Sequence, residues 1–391
     1  MDGVLGLEDV LAEAEEASPV ESVDVVARNL LKRFGATCVS FLFVDLVGEE
    51  LVQLTTADRT HNGRRPTRIG LRGSVHEKVL MSQRLHVQPD EEGGHLAISP
   101  VTNRGDCVGV LEMTLPHVDE TVLRQVGEAA HALAYIIVTD RRFTDLYHWG
   151  RRTTPISLAA EIQHQLLPSA SCCEAEQFAL AGGLVPADDI SGDTYDYALD
   201  TDTLHLSITD AMGHDTESAL LATLLLGALR GARRAGHDIA EQARQAHQAL
   251  LDHDRGIATG QLLRISLDSG RVHLVNAGHP RPLLLRDDTV EELDLFANLP
   301  FGVASPTAYR VQELHLRPGD RLFMLTDGMQ ERRAAGVDLP ALIRDTRTRH
   351  PREATRHLAT AVRDACGGHL EDDATVLCLD WYGSHPLRRR G

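Results

Sequence analysis

Several acidic residues of this 391-residue chain stand next to predicted β-strands, where they can act together. Apolar and polar residues alternate over 204–209, which predicts a half-buried strand that ends at Asp210. Mg²⁺ and Mn²⁺ favour oxygen ligands and keep several waters, so carboxylates at strand ends are candidate ligands for a pair of such cations. The other acidic residues with such a placement are Asp193, Asp327, Asp372 and Asp373.

An Asp beside a Gly is, taken singly, more typical of a turn than of a metal ligand. The chain also contains an acidic pair that matches no motif and serves as an example of such a turn. Asp287 and Asp288 lie in a predicted hairpin loop between the segments 283–286 and 291–295, and we interpret them as a solvated turn.

Five motifs follow one another in the C-terminal half: Gly-Asp-x-Tyr-Asp from Gly192, Asp-x-Met-Gly-His from Asp210, Asn-Ala-Gly-His-Pro from Asn276, Pro-Gly-Asp-x-Leu-x-x-x-Thr-Asp-Gly from Pro318, and Asp-Asp-x-Thr from Asp372. This order resembles the metal-dependent PPM (type 2C) serine/threonine protein phosphatases, most closely their SpoIIE-like branch. The resemblance covers about 158–379. It implies an α+β fold whose C-terminal part is an αββα sandwich of two antiparallel sheets flanked by helices.

The resemblance also implies a ligand set for two Mn²⁺ or Mg²⁺ ions. The matching positions are Asp193, Asp210, the carbonyl of Ala211, Asp327 and the pair Asp372 and Asp373. Asp372 aligns best with the family's last ligand, and Asp373 remains the alternative. Two such ions lower the pKa of a bridging water, which then attacks the phosphoryl group in line.

His214 is a candidate general acid, because an ordinary imidazole pKa of about 6.5 suits protonation of a serine leaving oxygen. The alternative is a residue outside the reaction, in the loop before a helix. His279, in the third motif, is predicted to hold a turn at a strand end by hydrogen bonds.

The N-terminal part has a helix–strand–loop–strand order that resembles a GAF domain, a small-molecule sensory fold. Its strongest local piece is the turn at 103–106 followed by Gly-Val-Leu-Glu at 109–112, and no binding residues are carried over from that family. The predicted organisation is a tail (1–18), a GAF-like sensor (19–120), a helical connector (121–170), the phosphatase domain (171–384) and a basic tail (385–391).

The connector is predicted from apolar residues spaced at helical intervals from Val122 to Ile137, continuing to Leu146, and from a second helix at 158–167. Such a segment either packs against its own copy in a homodimer or lies on its own domain. The sequence Gln-His-Gln-Leu-Leu-Pro at 163–168 resembles the end of the segment that precedes SpoIIE-like catalytic domains.

The composition limits the other function classes. A formal net charge of −18 argues against a nucleic-acid partner, since such binding depends on basic contacts with phosphates. The six cysteines lack C-x-x-C spacing, which indicates neither a zinc site nor a disulfide framework. No signal peptide and no membrane-spanning stretch is predicted, so we expect a cytoplasmic protein.

The leading interpretation is a phosphoprotein phosphatase regulated by its N-terminal sensor. The resemblance implies that its substrate is a phosphorylated STAS-type anti-sigma-factor antagonist, and the sensor's signal, a small molecule or a protein, is unknown. The alternative is a catalytically silent PPM-fold scaffold that binds regulatory partners. A metal-dependent phosphodiesterase is disfavoured, because the motifs lack the His-rich ligand set of such sites.

Overall fold

The chain forms two compact units, Met1–Pro155 and Ile156–Gly391. The computed structural model describes residues 7–45, 48–53, 67–91, 93–150, 153, 157–186, 192–213, 216–253, 256–304, 308–330, 334 and 336–384. The boundary between the units falls inside the predicted connector, so the limits predicted at 120 and 170 are not those of the compact units.

An antiparallel sheet of six strands forms the centre of the N-terminal unit. Its strands are β1 (Cys38–Val44), β2 (Glu50–Gln53), β3 (Arg68–Gly70), β4 (His86–Pro89), β5 (His95–Asn103) and β6 (Asp106–Leu115). They are ordered β3-β2-β1-β6-β5-β4. Strand alternation sends Phe41 and Phe43 into one core and Leu42 into the core on the opposite face.

Helices cover both faces of this sheet. They are α1 (Leu7–Glu16), α2 (Ser22–Phe34), α3 (Val75–Ser82), α4 (Glu120–Asp140) and α5 (Leu146–Gly150). Helices α1, α2 and α4 share the core of Phe41, whereas Val79 and Leu80 of α3 pack on the other side. The side chains of Ser74 and Asp119 accept hydrogen bonds from the first turns of α3 and α4 and start these helices. The GAF-like assignment of this unit stays a prediction.

Helix α4 packs against its own unit. Val126, Leu133 and Ile137 are each no more than 1% exposed in the core that α4 shares with α1 and α2. Of the two alternatives for this stretch, the structure therefore has the helix lying on its own domain. The predicted continuation to Leu146 is wrong, because the helix ends at Asp140, where the Arg141 amide bonds back to the Ile137 carbonyl.

A buried carboxylate ties the last described residue of this unit to the sheet. Asp45, which is fully buried, accepts hydrogen bonds from the amides of Glu49 and Glu50 and from the Thr153 hydroxyl. Arg68 of β3 donates to the Thr153 carbonyl at 2.7 Å. The chain is thus fixed to its own sheet just before the second unit begins.

The C-terminal unit has four layers, two helical and two of antiparallel sheet. The first sheet holds β9 (Gly192–Leu199), β10 (Thr203–Ala211), β11 (Ala258–Ser266), β12 (Arg271–Ala277) and β15 (Gln312–His315), ordered β15-β12-β11-β10-β9. The second holds β7 (Cys172–Glu174), β8 (Phe178–Val185), β13 (Leu283–Arg286), β14 (Thr289–Glu292), β16 (Arg321–Leu325) and β17 (Ala374–Trp381), ordered β14-β13-β16-β17-β8-β7. The helices are α6 (Leu158–Leu166), α7 (Thr216–Arg234), α8 (Ile239–Asp252), α9 (Leu339–Asp345) and α10 (Pro351–Ala365).

Three apolar cores hold the layers together. The alternating Leu204, Leu206 and Ile208 of β10 enter the core between the two sheets. Helices α7 and α8 pack on the outer face of the first sheet, and α9 and α10 on the outer face of the second. This arrangement confirms the predicted αββα sandwich.

Some strands were not predicted. Cys172 and Cys173 lie in edge strand β7, which the sequence did not indicate, and β8 and β15 carry no clear alternation in the sequence. Asp287 and Asp288 do form a two-residue turn between β13 and β14, with φ of +49° and +63°. Because this turn is so tight, β14 begins at Thr289 rather than at 291.

No helix within the described ranges is long and apolar enough to cross a lipid bilayer.

Candidate metal centre

The β9–β10 hairpin brings the first two candidate ligands together. In the antiparallel register Asp193 lies directly opposite Asp210, and Gly192 opposite Ala211. Asp193 is the second residue of β9. Both carboxylates are therefore held by a hydrogen-bonded ladder, which limits their movement.

Close backbone approach explains the glycine beside Asp193. A Cβ on Gly192 would lie 2.4 Å from the carbonyl oxygen of Ala211, the backbone oxygen that the resemblance names as a ligand. Any larger residue at 192 would displace that carbonyl. The glycine is thus needed for the close pairing of β9 with β10 next to Asp193 and Asp210.

The second sheet supports Asp193 through two hydroxyls. Thr326, at the end of β16, and Thr375, in β17, each donate to Oδ2 of Asp193 at 2.7 Å. Asp327 follows Thr326 and begins a 3₁₀ turn, where it is exposed. The two sheets therefore meet at this point, with one carboxylate buried and one open to solvent.

Asp372 and Asp373 enter from the start of β17. Asp373 is fully buried, and its amide donates to Oδ1 of Asp372 at 2.9 Å. A Cβ on Gly328 would lie 2.0 Å from the Asp373 carbonyl, so a glycine after Asp327 allows the two segments to touch. Both carboxylates influence Asp210 electrostatically, and the choice between them as the ligand stays open.

Mutual repulsion is evident from the pKa values of these groups. Burial raises the pKa of Asp193 well above its ordinary range, and the charges of Asp210 and Asp373 raise it further against the two threonine hydrogen bonds. Burial and the charges of Asp327, Asp372 and Asp373 raise the pKa of Asp210 to about 7. Carboxylates this close cannot all ionise without a compensating positive charge.

The donor set fits hard divalent cations. It consists of carboxylate oxygens and one backbone carbonyl, the ligand type of Mg²⁺ and Mn²⁺. Within the described residues, no three His, Cys, Asp or Glu side chains are close enough to form a ready-made coordination cluster. This spacing is compatible with Mg²⁺, which is usually held through one or two carboxylates and keeps several waters.

Of the two histidines in the motifs, one is described. His214 lies outside the described residues, and its role as general acid stays a prediction. His279 is buried; its backbone amide donates to Asn276 Oδ1 and its Nδ1 lies 2.8 Å from the Thr259 hydroxyl. Burial lowers the pKa of His279 to about 3, so this side chain is neutral and braces the turn.

Two residues of the site were missed by the sequence reasoning. Gln163 of α6, which is 2% exposed, donates from Nε2 to the Asp193 carbonyl at 2.8 Å and to Oδ2 of Asp373 at 2.6 Å. Arg230 of α7 forms a two-pronged ion pair with Asp196 of β9. The motif that begins at Gln163 was noticed, but nothing in its spacing indicated which residues its amide would contact.

Comparison with known proteins finds similarity to bacterial phosphatases. Residues 200–382 match the family model of stage II sporulation protein E (SpoIIE). The phosphoserine phosphatase RsbU of Bacillus subtilis (strain 168) is 21% identical over 236 residues, which are 57% of this chain and 69% of RsbU. RsbP, a phosphoserine phosphatase of the same organism, is 29% identical over 151 residues, 37% of each chain. This chain therefore spans much less than the full length of RsbP.

Among solved structures, the RsbU and RsbW domains of Rv1364c from Mycobacterium tuberculosis show 24% sequence identity with a TM-score of 0.48. That match covers 56% of this chain and 63% of the other. The αββα fold and its five ordered motifs define a protein serine/threonine phosphatase domain of the PPM class. The matched stretch, 200–382, is similar to the SpoIIE family within that class.

Proposed function

We propose that this protein is a metal-dependent phosphatase that removes phosphate from serine or threonine of a small regulatory protein. The observation that carries the proposal is the set of acidic neighbours around Asp210. Asp327, Asp372 and Asp373 raise its pKa, and Asp193 is its direct strand partner. A group of mutually repelling carboxylates at strand ends is costly to maintain, and bound cations would offset this cost.

The residues that would hold the cations are Asp193, Asp210, the Ala211 carbonyl, Asp327 and the pair Asp372 and Asp373. When bound, two divalent cations supply a nucleophilic water at neutral pH and neutralise charge on the phosphoryl group. The protein's own contribution is orientation. Thr326 and Thr375 fix the Asp193 carboxylate, while the exposed Asp327 marks the side from which a phosphoprotein can approach.

The substrate class is proposed from the relatives. RsbU and RsbP are named phosphoserine phosphatases, which favours phosphoserine on a protein as the substrate. The SpoIIE-like resemblance points to a phosphorylated STAS-type anti-sigma-factor antagonist. We further propose that a small-molecule or protein signal at the GAF-like unit regulates the rate, and that the protein acts as a homodimer.

Turnover separates this proposal from the scaffold alternative. The purified protein is incubated with Mn²⁺ or Mg²⁺ and either p-nitrophenyl phosphate or phosphorylated STAS-domain proteins, and released phosphate is measured. We expect release that requires the added cation and stops with EDTA. Binding of a phosphorylated STAS protein without release would favour the scaffold, and full activity in metal-free buffer would exclude the two-metal chemistry.

A matched pair of variants tests the assignment of the ligands. Asp210→Asn should reduce phosphate release to background, because it removes the carboxylate at the centre of the acidic group. Asp287→Asn is the control in the hairpin turn, and Asn is chosen because Asp287 has a φ of +49° that Asn tolerates. Equal rates for the two variants would show that the motif assignment is wrong.

A further inference from the structure

Arg230 connects three elements of the C-terminal unit. Its Nε and Nη2 donate to the two carboxylate oxygens of Asp196 in β9, at 3.2 and 2.8 Å. The same Nη2 donates at 2.7 Å to the carbonyl of Leu166, the last residue of α6. A single guanidinium on α7 thus holds both the strand that carries Asp193 and the end of the preceding helix.

Helix α6 has a second attachment to the same centre. One turn before Leu166, Gln163 donates to the Asp193 carbonyl and to Oδ2 of Asp373. The last carbonyls of a helix have no partner within it, and Arg230 satisfies one of them. The helix is therefore fixed at its end by Arg230 and in its middle by the acidic centre.

We infer that Arg230 is a positioning residue, which seats α6 so that Gln163 can hold Asp193 and Asp373 in place; this inference rests on the proposed function. Asp196 lies three residues after Asp193 in the same strand. Arg230 therefore fixes the position of α6 relative to the strand that carries the candidate ligand. A planar guanidinium with several donors can make this three-way connection, whereas an ammonium on a flexible stem cannot hold the same fork.

The contrasting possibility is that Arg230 only stabilises the fold through an ion pair. Asp196, whose side chain is 4% exposed, also pairs with Arg233 at 3.0 Å. Loss of Arg230 therefore leaves this buried carboxylate with a partner, and the unit is expected to fold. The two roles can be separated, because positioning changes cation binding and the mobility of α6, whereas an ion pair alone changes only thermal stability.

The experiment measures Mn²⁺ binding by titration calorimetry for the full-length protein and five variants. Arg230→Met and Gln163→Leu should each weaken Mn²⁺ binding about tenfold or more, as is usual for residues that orient metal ligands. The double variant should bind Mn²⁺ as tightly as the single variant with the lower Mn²⁺ affinity, since both substitutions act through one contact. Arg244→Met is the control, because it removes an exposed arginine whose ion-pair partner, Glu241, lies on the same helix, α8.

Arg230→Lys is the fifth variant and guards against a folding defect. It keeps a charge for Asp196 but cannot also hold the Leu166 carbonyl, so binding should weaken while the melting temperature stays near that of the wild type. Unchanged Mn²⁺ binding in Arg230→Met, or effects of Arg230→Met and Gln163→Leu that multiply in the double variant, would overturn the inference.

Hydrogen exchange distinguishes failure of this inference from failure of the proposed function. In metal-free protein, amides of residues 161–167 should exchange faster in Arg230→Met than in the wild type or in Arg244→Met. This readout needs neither activity nor a cation. A wild-type protein that binds no Mn²⁺ would refute the proposed function, whereas unchanged exchange in α6 would refute the role of Arg230 alone.

Discussion

Each unit buries a carboxylate, but the two carboxylates have different surroundings. Asp45 of the N-terminal unit is fully buried and accepts hydrogen bonds from two backbone amides and the Thr153 hydroxyl. Asp193 of the C-terminal unit is 1% exposed and accepts two threonine hydroxyls, yet it also faces the charges of Asp210 and Asp373. The first carboxylate is satisfied by neutral donors, whereas the second is left in a repulsive field.

This difference separates a structural carboxylate from one kept for binding. A buried charge is tolerated when hydrogen bonds satisfy it, as at Asp45. Around Asp193, hydrogen bonds orient the group without cancelling the charge of its neighbours. Burial alone therefore does not identify a functional carboxylate, and the sign of the nearby charges is the better indicator.

The largest expected effect comes from truncating these two residues. Asp193→Ala should reduce phosphatase activity by about a thousandfold or more, since it removes a ligand of the proposed cation site. Stability of the metal-free protein should change little, because the lost hydrogen bonds are offset by lost repulsion. Asp45→Ala should cost the N-terminal unit about 3 kcal/mol, because two amides and a hydroxyl lose their acceptor.

Hydrogen exchange of the full-length protein reports on each unit separately, and a phosphate-release assay reports on the site. Asp45→Ala should leave Mn²⁺ binding intact. If Asp193→Ala destabilised its unit as much as Asp45→Ala does, the distinction between the two carboxylates would fail.

The sequence predicted candidate ligands but not how they are held. Strand periodicity and the ordered motifs indicated Asp193, Asp210, Asp327 and the Asp372-Asp373 pair. In the structure Asp193 is the strand partner of Asp210, and the charges of the other three act on Asp210. The supporting contacts of Gln163 and Arg230 join residues 30 to 210 positions apart in sequence. A local pattern carries no information on such pairings, which depend on how the two sheets and the helices pack.

In the N-terminal unit the sequence predicted a helix but not the surface against which the helix packs. The apolar stripe of α4 was read correctly as a helix, yet periodicity says only that one face is apolar, not what covers it. Burial of Leu133 and Ile137 within the unit shows that this stretch packs on its own domain. The missed strand β4 has few strongly β-forming residues, and its position is set by pairing with β5.

A comparably large effect is expected for a charge placed in this core. Leu133→Glu should destabilise the N-terminal unit by about 4 kcal/mol, because it buries an unpaired carboxylate and removes apolar packing. Tyr135→Glu, on the same helix, is the control, since Tyr135 is 44% exposed. Chemical denaturation with light scattering measures both stability and oligomeric state. A Leu133→Glu protein that stays folded but becomes monomeric would instead place Leu133 in a dimer seam.

The smallest expected effect is on the pH dependence of stability, and it tests whether the buried His279 is neutral. The pKa of His279 falls from 6.5 to about 3 because burial outweighs a smaller opposing contribution from the Leu325 backbone. The unfolded chain therefore binds a proton below about pH 6.5 that the folded protein does not, so His279 favours unfolding increasingly as the pH falls. From about pH 7 to pH 5 this contribution is about 2 kcal/mol.

His279→Gln removes that proton uptake, and its stability should fall about 2 kcal/mol less than that of the wild type over the same pH interval. Urea denaturation of both proteins in metal-free buffer measures the difference, in which the opposite pH dependence of Asp193 and Asp210 cancels. His237→Gln, at an exposed position, should follow the wild type. Parallel pH profiles for wild type and His279→Gln would mean that the His279 ring is protonated inside the fold. In that case His279 would be a buried charged group, and its neutral hydrogen-bond partners would not explain how it is held. The comparison between Asp45, which neutral donors satisfy, and Asp193, which neighbouring charges repel, would then have to account for a third buried charge.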